Sequence, residues 1–335
     1  MKVMALGQAL IHAPVAWSEA LRDLCSSADA VICNFEGCLP PANAWPMKRK
    51  TVHAAHPDAL AMLADLGVTH LTIANNHAWD FGHPGILSTR AAIAEAGIAV
   101  TGAGVDLAEA RRAARRNDVS VIAVDLGPTP DWAIADTGPG VNALRLRRSL
   151  GLPEADIAHL RSIAEASGET ERRRRRQAIG YDAADPGESF YGIALAPAPG
   201  VQEVWTPDPG DMQRLVQQIE TETRHASVVL VSCHFHHWAP DWSAPPDWLT
   251  ALGRALLDAG ADGVVASGPP VAYPATIDGG RILAPGLGNL VFHTARAERY
   301  HDLGIPIDSG LVAVFEDGRW RVETIDVLLP SVPRR

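Results

Sequence analysis

The chain has 335 residues, 47% of them hydrophobic, and a formal net charge of −10. That length and apolar share suffice for a large buried core, and the acidic balance argues against a broad nucleic-acid or anionic-membrane surface. Four cysteines, Cys25, Cys33, Cys38 and Cys233, sit in apolar stretches without a C-x-x-C spacing and read as buried free thiols, not a disulfide framework.

In chain order, residues 2–6 predict a short strand ended by Gly7-Gln8. This run is too short for a signal peptide or membrane anchor, so a cytoplasmic protein is expected. Residues 19–27 predict a helix with Ser18 as N-cap, and residues 30–34 a second apolar strand ending in Asn34-Phe-Glu36-Gly37. The Pro-rich stretch 39–57, with Lys48, Arg49 and Lys50, reads as a surface loop. A helix over 57–66 stops at Gly67, and strand 68–74 runs into Asn75-Asn-His-Ala-Trp-Asp-Phe-Gly82. Helix 84–96, strand 98–101, helix 107–116 and strand 119–124 follow. Gly102-Ala-Gly104 lacks the third glycine and the acidic residue of a dinucleotide fingerprint, so no organic cofactor is expected.

Between about 126 and 200 the alternation breaks down around Pro128, Pro130 and Pro139, and Glu171 leads into five consecutive arginines, Arg172 to Arg176. The arginine run is most simply a solvated helix face, and the region reads as an insertion or lid within one domain spanning 1–335. Regular elements return with helix 209–223, strand 227–232, helix 246–259, strand 263–266 and two terminal strands, 311–315 and 320–327.

Three apolar strands end in groups that bind metals or carry protons: Asn34/Glu36, Asn75/Asn76/His77 and His234/His236/His237. Ligands in α/β folds collect at the carboxyl ends of strands, so these clusters are expected to converge. Amide and carboxylate oxygens with imidazoles suit one divalent ion such as manganese, calcium, magnesium or zinc. Asp80, three residues after His77, is placed to fix the tautomer of that ring, and His236, His237 or His12 is available as a second proton carrier. Trp79, Trp238, Trp242 and Trp248 adjoin these motifs, and Trp79 and Trp238 are candidates to line an apolar pocket.

The succession N-F-E-G, A-N-N-H-A-W-D-F-G, G-A-G, V-V-L-V-S-C-H, G-A-D-G-V-V-A-S-G-P-P-V and G-L-G-N-L-V-F resembles the CapA (poly-γ-glutamate capsule biosynthesis) family of the calcineurin-like metallo-dependent phosphatase superfamily. The resemblance implies an α/β fold, a four-layer α/β/β/α sandwich with metals held across strand ends. It also implies that Glu36, Asn76 and His234 are metal ligands, with Ser267 in place of a histidine; Asn75 and Ser267 are candidates for the substrate pocket. Two departures matter. Gly7-Gln8 stands where the family has Gly-Asp, and Ser267-Gly-Pro-Pro270 stands where it has two histidines. A two-ion clamp for phosphate esters needs both ions about 3.5–4 Å apart. One ion or none is therefore expected, and ordinary phosphatase activity is not.

What remains is acid/base equipment, His77 with Asp80 and a second carrier from His236 or His12. The resemblance extends to a lasso-peptide epimerase. The leading expectation is an epimerase inverting the C-terminal residue of a ribosomally made peptide, with that peptide as its partner and with no nucleic acid or membrane. The alternatives are a metallohydrolase of a phosphoester or peptide amide, and a binding protein with a decayed site.

Overall fold

Val-, Ile- and Ala-rich runs with almost no polar interruption form the strands of two sheets buried on both faces. The computed structural model describes residues 1–49, 51–182 and 187–329, so Lys50 of the expected loop lies outside it. The chain divides into two units, Met1–Arg145 with Pro209–Arg335, and Leu146–Asp208.

In the larger unit, β1 (Lys2–Leu10) lies parallel to β2 (Ala30–Phe35), which is followed by β3 (His70–Thr72) and β4 (Ala99–Thr101). Antiparallel strands Ser309–Glu316 and Arg319–Asp326 extend the other side of β1, and Asn289–Phe292 joins its far end in parallel to complete seven strands. The second sheet has six strands in the order Thr276–Asp278, Arg281–Ala284, Gly263–Ser267, Val228–His234, Val119–Asp125, Ala114–Arg116.

Val3, Ala5 and Ile32 of the first sheet meet Val121, Leu230, Val265 and Ile282 of the second, so the inner faces form one core. Helices α1 (Glu19–Ser26), α2 (Ala59–Asp65) and α3 (Gly82–Glu95) cover the outer face of the first sheet, packing Leu21, Leu63 and Ile93 against Met4, Val31 and Leu71. Helices Pro209–Glu222 and Asp247–Asp258 bury Leu215, Ile219, Leu249 and Leu256 on the second sheet's side. The result is the four-layer α/β/β/α sandwich. Truncating one inner residue, as in Ile32→Ala, is expected to cost about 2–5 kcal/mol because the packed sheets cannot collapse onto the hole.

Several boundaries differ from the sequence expectations for local reasons. β1 continues through Gly7-Gln8 to Leu10, because Gly7 lets Gly288 approach its backbone where a Cβ would lie 2.4 Å from the Gly288 oxygen. The expected helix 107–116 stops at Arg111. Asn117 and Asp118, both at positive φ, turn the chain so that Ala114–Arg116 pairs antiparallel with Val119–Val121. All four cysteines are free and buried.

Residues 126–145 belong to the larger unit, so the inserted segment is shorter than expected; Leu126 N–H donates to His234 O at 2.8 Å, and Asn142 N–H to Gly102 O at 2.8 Å. The smaller unit is a four-stranded sheet, Ser189–Phe190, Ile193–Pro197, Leu146–Leu152 and Gln202–Pro207, with helices Glu154–Ala166 and Glu169–Ala178. The arginine run lies on the second helix as a solvated face: Arg174 and Arg175 pair with Glu171, Arg176 with Asp182 and Arg172 with Glu169. No helix among the described residues is long and apolar enough to cross a membrane.

Candidate active site

Parallel strands deliver their carboxyl ends to one edge, and the turns there hold the polar side chains. Glu36 follows the last residue of β2, and His234 is the last residue of its strand, level with Ser267 on one side and Asp125 on the other. After His234 the chain folds back, with Phe235 N–H donating to Ser267 O at 3.0 Å and His236 N–H to Gly127 O at 3.0 Å. Gly268, at φ 130°, makes this packing possible, since a Cβ there would lie 1.9 Å from the Phe235 oxygen.

Glu36 Oε1 lies 3.7 Å from His234 Nε2, 3.7 Å from His236 Nε2 and 3.8 Å from His77 Nε2. Two nitrogen or oxygen ligands about 2.1 Å from one ion in tetrahedral to trigonal geometry stand about 3.4–3.7 Å apart. Glu36, His234 and His236 therefore already have the spacing of ligands to a common ion. Asn76 Oδ1 joins them, 2.9 Å from His234 Nε2. Two further observations fit a cation: Glu36 Oε2 and His236 Nε2 are buried without a hydrogen-bond partner, as ligand atoms awaiting a metal would be. Burial, with the neighbouring His236 and His77, holds His234 well below its ordinary pKa and hence in the neutral form that metals bind. Ser267 does not line the cavity; its Oγ lies 3.1 Å from His234 Nδ1 and orients that ring. His236, expected as a proton carrier, lies in the cluster that could hold a metal ion.

The neighbouring position is closed. Gln8, only 2% exposed, donates through Nε2 to Asn289 Oδ1 at 3.0 Å and to Gly268 O at 3.2 Å, while its Oε1 accepts from Gly268 N–H at 2.7 Å. A neutral amide with both ends occupied stands where the resemblance implied an aspartate.

On the other side of Glu36, His77 Nδ1 is 2.7 Å from Asp80 Oδ2, the pairing expected from their spacing. Asp80 also accepts from His53 N–H at 2.7 Å and pairs with Lys48 Nζ at 2.7 Å. Burial alone would raise the Asp80 carboxyl, but the hydrogen bond and charge of His77, with the Lys48 ammonium, hold it below the usual range. Lys48 is further fixed by the Asn76 carbonyl and by the face of Trp79, 3.9 Å from the ring centre.

From His77 a row of imidazoles runs along the wall. His53 meets His77 edge-on at 4.0 Å, His53 Nδ1 lies 2.9 Å from His12 Nε2, and His12 N–H donates to His293 Nδ1 at 2.8 Å. Burial, reinforced by His77, lowers His12, and it lowers His53 to about 2 and His293 to about 4, so His12, His53 and His293 are neutral near pH 7.

These groups surround a cavity of about 620 Å³ lined by Glu36, His77, His236, His12 and Trp238 among others. Asn75 does not line it; fully buried, it donates to Phe35 O at 2.8 Å and accepts from His77 N–H at 3.1 Å, which shapes the turn presenting His77. Trp79 is likewise not a wall of the cavity, since it packs on Lys48 and, edge-on at 5.5 Å, on Trp132. Sequence reasoning missed Lys48, His53, His293 and Arg296. For His293 the signal was present, because it directly follows the apolar strand Asn289–Phe292 as His234 ends its own. Lys48 and His53 sit in a Pro-rich loop with no periodicity to read.

Comparison with known proteins places these residues in a wider context. The family model described as bacterial capsule synthesis protein PGA_cap matches residues 4–294. A probable polyglutamine synthesis accessory protein of Mycobacterium tuberculosis is 36% identical over 138 residues, 38% of this chain and 36% of the relative. The PGA biosynthesis protein CapA of Bacillus subtilis is 24% identical over 268 residues, 79% of this chain and 54% of the relative. An uncharacterized protein of Sinorhizobium fredii is 26% identical over 276 residues, 79% of this chain and 56% of the relative. The chain thus spans between about a third and just over half the length of these curated relatives.

Proposed function

The chain belongs to the bacterial capsule synthesis protein family, and from that premise we propose that it is an acid/base enzyme that removes and returns the Cα proton of the C-terminal residue of a ribosomally made peptide. The observation that carries this reading is the contrast within the cavity. A proton-handling His77–Asp80 pair lies 3.8 Å from a carboxylate fit for one ion, while the place of a second ion is taken by the saturated amide of Gln8. A divalent ion held by Glu36, His234, His236 and Asn76 would polarise a bound carbonyl or carboxylate and acidify the adjacent Cα–H. Asp80 holds His77 in the tautomer that leaves Nε2 facing the cavity to take the proton. Inversion needs proton return to the other face of Cα, and His12, also lining the cavity, is the proposed second proton carrier. Trp238 supplies an apolar wall for the terminal side chain.

A second reading, a metallohydrolase of a phosphoester or amide, is favoured by the imidazole–carboxylate ligand set, which suits a metal-bound water. The two separate in heavy water. With peptide substrate and one manganese ion per chain, the epimerase washes deuterium into the terminal Cα and accumulates the opposite stereoisomer. Release of phosphate or a shortened peptide without Cα exchange would instead establish the hydrolase.

A further inference from the structure

Beyond the metal group and the His77–Asp80 pair, the same cavity has an opposite end built from the strand end at Phe292 and the residues that follow it. His293 is 2% exposed and lines the cavity. Its Nδ1 accepts the His12 backbone N–H at 2.8 Å, which fixes the neutral ring with its proton on Nε2. That Nε2–H is buried and has no hydrogen-bond partner. A buried donor left unmet is costly unless something fills its place, and the cavity that His293 lines is where an acceptor can be offered.

Arg296, three residues on, lines the cavity as well. Its charge is felt inside: it helps depress His53 and acts on Tyr300, both of which line the same space. Among the described residues no carboxylate pairs with its guanidinium. Lys48, the other cation of the cavity, is committed to Asp80 at 2.7 Å. That leaves Arg296 as the cavity's cation without a carboxylate partner among the described residues. Phe292, Tyr300 and Trp238 line the same cavity and supply apolar and aromatic surface.

We infer that His293 Nε2–H and the Arg296 guanidinium form a carboxylate subsite that receives the free α-carboxylate of a peptide ending in a bulky apolar residue. Both groups line one cavity, a planar guanidinium and a fixed neutral N–H each suit a carboxylate oxygen, and the aromatic lining takes the attached side chain. For the identity of its ligand as a peptide, the inference rests on the epimerase reading; for the anion it rests on the cavity alone. Specificity for a free C-terminus follows, because an amide leaves Arg296 without its counter-ion.

The test is isothermal titration of the manganese-loaded full chain with N-acetyl-alanyl-tryptophan and with the same dipeptide as its C-terminal amide. The acid is expected to bind about ten- to a hundredfold more tightly, the range of a hydrogen bond to a charged group. Arg296→Gln, at an exposed residue, should erase that preference, and Arg296→Lys should restore part of it. Equal binding of acid and amide, no binding of the acid at millimolar concentration, or a preference that survives Arg296→Gln overturns the subsite. Cα deuterium exchange keeps the two readings apart. Exchange that proceeds equally on acid and amide removes the subsite and leaves the epimerase, whereas selective acid binding without exchange removes the epimerase and leaves the subsite.

Discussion

Two adjacent positions at the same sheet edge have opposite polar states. Around Gln8 every donor and acceptor is met: the amide bridges Asn289 and Gly268 with three hydrogen bonds. Around Glu36 they are not, since Glu36 Oε2 and His236 Nε2 are buried and unpartnered and three ligand atoms stand within 4.8 Å of one another. A saturated amide network stabilises the fold and excludes a cation; an unsatisfied one costs stability and waits for it. The Gln8 amide is thus saturated, while the Glu36 cluster beside it keeps buried polar atoms unmet. Function is expected to follow the unsatisfied side.

Substitutions on the two sides should therefore behave differently. The largest effect is expected at His77→Ala: Cα exchange should fall at least about a hundredfold, the contribution of one positioned acid/base group. Because His77 is buried and bonded to Asp80, its loss will also lower stability, so the exchange rate of the folded variant is the deciding measurement. Asp80→Asn comes next. It breaks a buried pair with Lys48 and the orientation of His77 together, and denaturant unfolding should show a loss of about 3–5 kcal/mol. The depressed Asp80 pKa has a matching sign: its stabilisation is present above the unfolded carboxyl value of about 3.9 and is lost as pH falls through the lower folded value.

Gln8→Ala should leave metal content and exchange chemistry in place yet cost about 1–3 kcal/mol in unfolding free energy, because Gly268 N–H and the Asn289 side chain lose their partner. Away from the site, His70 is buried and held to about 4 by desolvation and by Arg116. The unfolded chain takes up that proton first, so stability should fall as pH drops from about 6.5 toward 4, by at most about 1.4 kcal/mol per pH unit from this residue. His70→Gln should flatten that slope. Glu171→Ala, on the solvated arginine helix of the smaller unit, should leave the melting temperature unchanged, since its partners are exposed.

Much of the site was legible because strand ends are legible. Apolar runs that break into Asn-Phe-Glu, Asn-Asn-His and Cys-His placed Glu36, Asn76, His77 and His234 at one edge, and the spacing of His77 and Asp80 anticipated their 2.7 Å contact. The absence of an aspartate at Gln8 was also visible, though not that its amide would lock Gly268 in place. What sequence could not show were contacts made across long separations by irregular backbone. Lys48 and His53 reach Asp80 from a Pro-rich loop, and the turn after His234 brings His236 Nε2 to 3.7 Å from Glu36 Oε1. Asn75 and Ser267 misled for a related reason: a polar residue at a strand end either faces the ligand or satisfies the backbone that positions it, and composition is the same in both cases.

The difference between the two positions is tested most directly by metal stoichiometry. The full chain would be dialysed against excess manganese and passed through a desalting column, and metal and protein would then be quantified. One equivalent per chain is expected for the native protein and for Gln8→Ala, and a small fraction of one for Glu36→Gln. Two equivalents in the native protein, or one equivalent retained by Glu36→Gln, would contradict a site with one open and one closed position.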